Sequence, residues 1–395
     1  MPQPYIRQPD NGHNRGARRT SLHPRVLQIG KHFSPDVGGI ETVTKNISDA
    51  LHMAGIQADV LCMALHSRGD QFETGYRVIR SHTNAVLAGN KTFSWDYCRK
   101  VAQLSSQYDV GILHVPNPLG AVAALAAWRK PLIVLWHADF DHRLLGKVTQ
   151  PIDVALARRA EVIVAPTSVH LAESNRARHL VRKGKVIPFP FAPHPGREFA
   201  VPPGLVGRIG QAARSRPIVL AAGRLVPYKG FDVLVRAMAQ VEGLYCVIAG
   251  GGPLKSVLER QIATEGVADK VVVTGQIGDD EMGALLNLAH FGCLPSVTAQ
   301  EMYGLTQVEM MAAGKPVIST RLERSGVPSV NRHGETGLLA EPGNSEELAA
   351  HLTALATDDA LHARLAAGAD HAFRTQYSLG PVGEQYAELI RHLAR

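Results

Sequence analysis

Residues 291–312 read Phe291-Gly292-Cys293-Leu294-Pro295-Ser296-Val297-Thr298-Ala299-Gln300-Glu301-Met302-Tyr303-Gly304-Leu305-Thr306-Gln307-Val308-Glu309-Met310-Met311-Ala312. A short apolar run, Phe291 to Leu294, suits a buried strand, and the residues after Gly304 suit a helix. Gly304 and its successors therefore fall at a helix start, where free backbone N–H groups bind anions. Glu301 and Glu309 flank that turn. Two carboxylates beside an anion site repel its ligand unless they reach neutral hydroxyls while cations hold the phosphates. Gly223-Arg224-Leu225-Val226-Pro227-Tyr228-Lys229-Gly230 supplies the cations, on a loop after another strand-like run, Pro217 to Ala222. Acids for hydroxyls and bases for a diphosphate predict a sugar nucleotide as ligand.

Apolar runs alternate with helical segments in both halves of the chain, which implies two doubly wound α/β units. Strands are expected at Arg25 to Ile29, Gln57 to Met63, Val110 to Val115, Leu132 to Trp136, Val162 to Ala165 and Lys185 to Ile187. The second set is Pro217 to Ala222, Tyr245 to Ala249, Lys270 to Thr274, Phe291 to Leu294, Pro316 to Ser319 and Thr336 to Leu339. Between the sets, prolines at 188, 190, 193, 195, 202 and 203 argue against regular helix and mark an interdomain connection. Two such sheets facing each other bring their carboxyl ends to one cleft, where ligands of these sheets bind.

The 395 residues, 45% hydrophobic and 19% charged, describe an ordinary globular chain of about two domains. The most apolar stretch, Gly111 to Trp128, is interrupted by His114, Pro116, Asn117 and Pro118 and is a poor membrane span. Residues 1–24 are polar and basic, unlike a signal peptide, and are expected to be a disordered tail. Cys62, Cys98, Cys246 and Cys293 lack metal-ligand spacing and are expected to be thiols in a reducing compartment. The 18 histidines form no zinc motif. Net charge is +7, and residues 143–185 alone carry a surplus of +6. That concentration suits an anionic membrane surface or a lipid diphosphate acceptor, and equally a solvated helical face. The scarcity of interleaved aromatics argues against nucleic acid.

The two loops resemble those of the retaining glycosyltransferases of family 4, in which an acidic pair recurs with seven residues between its members. The resemblance runs over roughly residues 25–375. It includes Pro35-Asp36-Val37-Gly38-Gly39-Ile40-Glu41, Trp136-His137, Gly250-Gly251-Gly252-Pro253 and Ala313-Gly314-Lys315-Pro316-Val317-Ile318. It implies the GT-B fold, two Rossmann-like domains facing a central cleft. The implied divisions are a first domain over 25–195, a linker over 196–216, a nucleotide-sugar domain over 217–375 and a segment over 376–395 that crosses back as a helix.

By this resemblance Arg224 and Lys229 hold the diphosphate, Glu309 takes the ribose hydroxyls, and Glu301 orients the transferred sugar. The backbone of Tyr303, Gly304 and Leu305 meets phosphate or sugar oxygens, and His137 touches a hydroxyl of the donor sugar. Gly38 and Gly39 let the first domain's backbone approach the diphosphate. Asp139 or Asp141 could face the acceptor. Met302 and Tyr303 depart from the family's frequent Glu-Gly-Phe-Gly. No metal or other cofactor is expected, because the Arg/Lys pair supplies the positive charge.

Within the family the chain is most similar to bacterial envelope and exopolysaccharide mannosyltransferases. The expected partners are GDP-mannose and a polyprenyl-diphosphate-linked oligosaccharide, at the inner face of the inner membrane. UDP-glucose, UDP-galactose or UDP-GlcNAc are alternative donors. A nucleotide-sugar epimerase and a noncatalytic sugar-nucleotide-binding subunit are the competing readings.

Overall fold

The computed structural model describes residues 24–34, 36, 38–64, 70–73, 75–87, 91–138, 145–174, 176–192, 203–209 and 216–395. The expected tail apart from Pro24, the candidates Asp139 and Asp141, and most of the 196–216 linker lie outside them.

The first sheet has eight strands: β1 Arg25–Ile29, β2 Gln57–Met63, β3 Gln71–Glu73, β4 Tyr76–Ser81, β7 Val110–Val115, β8 Leu132–Trp136, β9 Val162–Ala165 and β10 Gly184–Val186. A separate hairpin holds β5 Ala85–Leu87 and β6 Lys91–Phe93. The sheet order is β10-β9-β8-β7-β1-β2-β4-β3, all parallel except the β3–β4 pair. The second sheet has β11 Ile218–Ala222, β12 Tyr245–Ala249, β13 Val271–Gly275, β14 Phe291–Leu294, β15 Val317–Thr320 and β16 Gly337–Ala340, ordered β13-β12-β11-β14-β15-β16. The central strands are continuous apolar runs because helices cover both faces. All five β8 residues and all five β11 residues are buried.

In the second sheet the chain winds outward from β11 through β12 and β13, then returns to the other side of β11 as β14. Val219 pairs with Cys246 on one flank and Phe291 on the other. In the first sheet the same reversal lies between β1 and β7. Loops leaving the two strands at such a reversal diverge and open a crevice, the usual ligand position in these sheets. The loop after β11 carries Arg224 and Lys229, and the loop after β14 carries Glu301.

A shared core joins the two halves. Val43, Ile47 and Leu51 of the Gly39–Met53 helix are buried with Tyr303, Val308 and Met311 of the second half and with Val382, Tyr386 and Ile390 of the Leu379–Leu393 helix. This last helix lies against the Gly39–Met53 helix, and Arg391 donates to the carbonyl of Ala54 at its end (2.9 Å). Such a contact satisfies a carbonyl that the helix end leaves unpaired.

Several boundaries differ from the sequence reading. Strands β10, β13, β15 and β16 are each displaced by one residue, and the strand before Gly223 begins at Ile218. Strand β4 was not expected because Arg77 and Arg80 interrupt its pattern. Arg80 is nonetheless buried, its guanidinium donating to the Ser34 carbonyl (2.5 Å) and Gln71 Oε1 (3.1 Å). The proline-rich break is shorter than expected: Pro203–Ile209 is a helix, with Leu205 and Ile209 buried in the second half's core. Pro203 stands at its first position, where a missing N–H costs nothing. Phe189 and Phe191 within the break are buried as well.

Candidate active site

Gly230 and Gly304 set the geometry of the two loops. Gly230 has φ 66° and lies so close to the Pro295 carbonyl that a Cβ would collide with it. Val297 N–H donates to the Tyr228 carbonyl (2.8 Å), so the loops after β11 and β14 are joined. Gly304 has φ 71° and caps the Leu305–Ala312 helix, a left-handed conformation that glycine adopts without steric penalty. The N–H groups of Tyr303, Gly304, Leu305 and Thr306 have no hydrogen-bond partner among the described residues. The structure thus has the helix start the sequence predicted, with its N–H groups open, an arrangement that suits an anion.

Lys229 and Glu301 meet in a tight ion pair, Nζ to Oε2 2.5 Å, with each side chain about 10% exposed. Ser296 Oγ donates to the same carboxylate oxygen (3.0 Å), and Ser325 Oγ donates to the Glu301 backbone carbonyl (2.5 Å). The ammonium is thus neutralised and held against a loop whose shape is fixed from two sides. Arg224, on the same loop as Lys229, is exposed and makes no side-chain hydrogen bond or ion pair among the described residues. It is an exposed, unpaired guanidinium on the loop that leaves β11.

Glu309 is the fifth residue of its helix, in the second turn. Gly304 ends the preceding loop and a turn spans about 3.6 residues, so the helix dipole gives this carboxylate little support. It has no hydrogen-bond partner among the described residues. It lines the crevice, touched by solvent yet surrounded by protein, and this desolvation raises its pKa from 4.5 to about 7 against the lowering pull of Lys229.

The first domain meets this cluster at two places. A Cβ on Gly39 would lie 3.6 Å from Leu305 Cδ1, so the start of the Gly39–Met53 helix faces the start of the Leu305–Ala312 helix. Gly38 precedes it in extended conformation, with the Glu41 carboxylate lying over it. At the end of β8 the His137 ring stacks on Phe189 (4.8 Å), which packs edge-on against Tyr303 (4.9 Å). The Tyr303 side chain therefore belongs to the domain junction, and only its backbone faces the anion site. Lys229, Glu301 and Glu309 are grouped directly, and His137, Gly39 and Leu305 close the junction beside them.

Three supporting groups escaped the sequence reading. Ser296 and Ser325 are ordinary loop serines in sequence and carried no signal. His114 registered only as an interruption of an apolar run, yet its Nδ1 lies 3.0 Å from His137 Nε2. The basic stretch 143–185 is also less free than its composition suggests. Lys183 donates to the carbonyls of Arg158 and Ala160, Arg159 to those of Trp128 and Lys130, and Arg176 pairs with buried Asp153. Arg182 and Lys185 remain exposed beside the exposed Val181 and Val186. Among the described residues no three His, Cys, Asp or Glu side chains are grouped as metal ligands, and no helix is long and apolar enough to cross a membrane.

Residues 37–190 match the family described as Glycosyltransferase Family 4, and residues 208–371 match Glycosyl transferases group 1. The chain is a glycosyltransferase of family 4 and the GT-B fold. It is 26% identical over 380 residues to the O-antigen chain mannosyltransferase C of Escherichia coli, covering 93% of this chain and 98% of that one. It is 27% identical to a GDP-mannose-dependent alpha-(1-6)-phosphatidylinositol monomannoside mannosyltransferase of Mycobacterium tuberculosis, covering 85% and 89%. Among solved structures, Anabaena HepE in complex with UDP and glucose superposes with a TM-score of 0.74 at 22% identity, covering 94% of this chain and all of that one. That likeness shows that the glycosyltransferase shares the GT-B architecture.

Proposed function

We propose that this glycosyltransferase moves α-mannose from GDP-mannose to a polyprenyl-diphosphate-linked oligosaccharide, in the manner of enzymes that mannosylate cellobiosyl-diphosphopolyprenol during acetan or xanthan assembly. The observation that carries the donor site is the Lys229–Glu301 pair, with Glu309 in its field, at the crevice between β11 and β14. The diphosphate binds at the open N–H groups of the Leu305 helix start, with Arg224 closing on it from the loop after β11. Lys229 then lies between Glu301 and the phosphate, and the charge that grows on the leaving group is stabilised by groups already in place. Glu309 accepts from ribose hydroxyls, which matches an unpaired carboxylate.

Glu301 is already neutralised by Lys229 and bonded to Ser296, a poor state for a nucleophile. The reaction is accordingly read as front-face substitution with retention. The leaving phosphate takes the acceptor's proton, and no divalent metal is required. Mannose as the sugar is supported by the two bacterial mannosyltransferase relatives. Acceptor and location are supported by the exposed Val181, Arg182, Lys185 and Val186, which place cations and apolar side chains together at one edge of the first sheet and suit peripheral contact with an anionic inner-membrane face.

The test incubates the pure protein with membranes containing cellobiosyl-diphosphopolyprenol and a panel of labelled nucleotide sugars. Label from GDP-mannose enters the lipid fraction if the reading is right. Incorporation only from a UDP sugar refutes the donor. Interconversion of free donor without transfer would indicate an epimerase, and an untouched donor would indicate a binding subunit.

A further inference from the structure

Behind His137 the first domain carries a buried polar chain that the reading above leaves unused. It begins at Gln28 on β1, passes through His114 on β7 and ends at His137. Gln28 and His114 are almost completely buried. Gln28 Nε2 donates to the Thr44 carbonyl (3.3 Å) and Ser48 Oγ (2.5 Å), which turns Oε1 toward His114 Nε2 at 2.9 Å. An amide oxygen can only accept, so the His114 proton sits on Nε2.

His114 Nδ1 is then a bare lone pair, 3.0 Å from His137 Nε2. Two lone pairs at that distance repel, so His137 carries its proton on Nε2 and donates it. The Thr44 hydroxyl, 3.2 Å from the same Nδ1, directs its own proton to the Ile40 carbonyl (2.8 Å). Burial lowers the pKa of His114 to about 3 and that of His137 well below its ordinary value, so both rings stay neutral. His137 Nδ1 has no hydrogen-bond partner among the described residues, and the residue is 8% exposed. The ring has His114 at its Nε2 side and Phe189, which packs on Tyr303, 4.8 Å from its centre.

We propose that Gln28 and His114 are positioning residues that lock His137 as the Nε2–H tautomer, so that Nδ1 offers the cleft a lone pair for a sugar hydroxyl. This rests on the sugar-nucleotide reading of the cleft and adds a specificity to it. A hydroxyl at that point is bound, and a carboxylate or phosphate oxygen is repelled, so the site takes a neutral sugar there and discriminates against a uronic acid.

The test has a spectroscopic arm and a kinetic arm. In protein labelled with 15N-histidine, the nitrogen signals of His137 are expected to show Nε2 protonated and Nδ1 bare. His114→Asn keeps an oxygen acceptor near the place of Nδ1. It should retain that signature and stay within about threefold of the parent kcat/KM for the nucleotide sugar, as expected when a buried donor keeps its partner. His114→Phe removes the acceptor and should lose both the signature and about tenfold to a hundredfold in kcat/KM. Gln28→Met, which frees the His114 tautomer, serves as a second variant if the phenylalanine does not fold.

A proton on His137 Nδ1 in the parent protein overturns the inference, as does a phenylalanine variant with unchanged rate and unchanged signature. If the parent protein turns over no nucleotide sugar, the functional reading fails, while the nitrogen signals still decide the lock.

Discussion

Replacing Glu309 with glutamine should make the protein more stable while impairing it. The carboxyl is held protonated up to about pH 7, where an ordinary one ionises near 4.5. The sign follows from which state holds the proton. Below pH 4.5 both folded and unfolded chains are protonated and the group makes no difference. Between 4.5 and 7 the unfolded chain ionises first, so stability falls as pH rises, and above 7 the whole penalty is present. The full difference corresponds to at most about 3 kcal/mol, and contact with solvent reduces it to about 1–2 kcal/mol. Glutamine is neutral throughout and escapes the penalty. Glu309→Gln should exceed the parent at pH 5 by only about a quarter of that amount and at pH 8 by all of it, a rise in Tm of about 2–8 °C at the slope typical of domains this size. Thermal and urea unfolding of both proteins at the two pH values, without nucleotide, measures it. An equal gain at pH 5 and pH 8, or no gain at pH 8, refutes the desolvated-carboxylate argument. The functional side is checked by calorimetry of nucleotide binding in buffers of different ionisation enthalpy. Ribose hydroxyls donating to Glu309 favour its ionised form, so binding near pH 7 should release protons from the parent and none from the variant.

Two further outcomes follow from the same site. Lys229→Met leaves Glu301 charged and nearly buried without its partner, which should cost about 3–5 kcal/mol; the Lys229→Met/Glu301→Gln double variant should recover part of that loss in a denaturation cycle, and strict additivity would show that the pair does not couple. Gly304→Ala must place a Cβ at φ 71° and 2.5 Å from Leu294 Cδ2; a penalty of about 2–4 kcal/mol is expected from left-handed strain plus crowding, and a neutral result in urea unfolding would refute the cap geometry.

The parts of this site that sequence revealed are those whose chemistry is local. Gly304 followed by an apolar helical pattern announces a helix start whatever surrounds it, and Arg224 and Lys229 share one short loop whose preceding strand fixes where it emerges. What sequence could not supply is the pairing across loops. That Lys229 is neutralised by Glu301 depends on β14 returning beside β11, a long-range arrangement that places residues 72 positions apart within 2.5 Å. The same reasoning accounts for the unforeseen strand β4, whose Arg80 reads as solvent-facing until its carbonyl and amide partners are known. It also accounts for His114, whose polarity inside an apolar strand is a signal without a direction until β1 and β8 flank it and supply Gln28 and His137 as partners. Composition misleads in the opposite sense at residues 143–185: Lys183 and Arg159 look like free surface charge but donate to main-chain carbonyls, and Arg176 sits in a buried ion pair. A cation count therefore bounds what a surface could bind, and the hydrogen bonds decide which of those cations are left to bind it. Among the described residues they leave Arg158, Arg182 and Lys185 of that stretch exposed without a side-chain partner, and Arg224 likewise on the loop after β11, two separate places where cations stand unpaired.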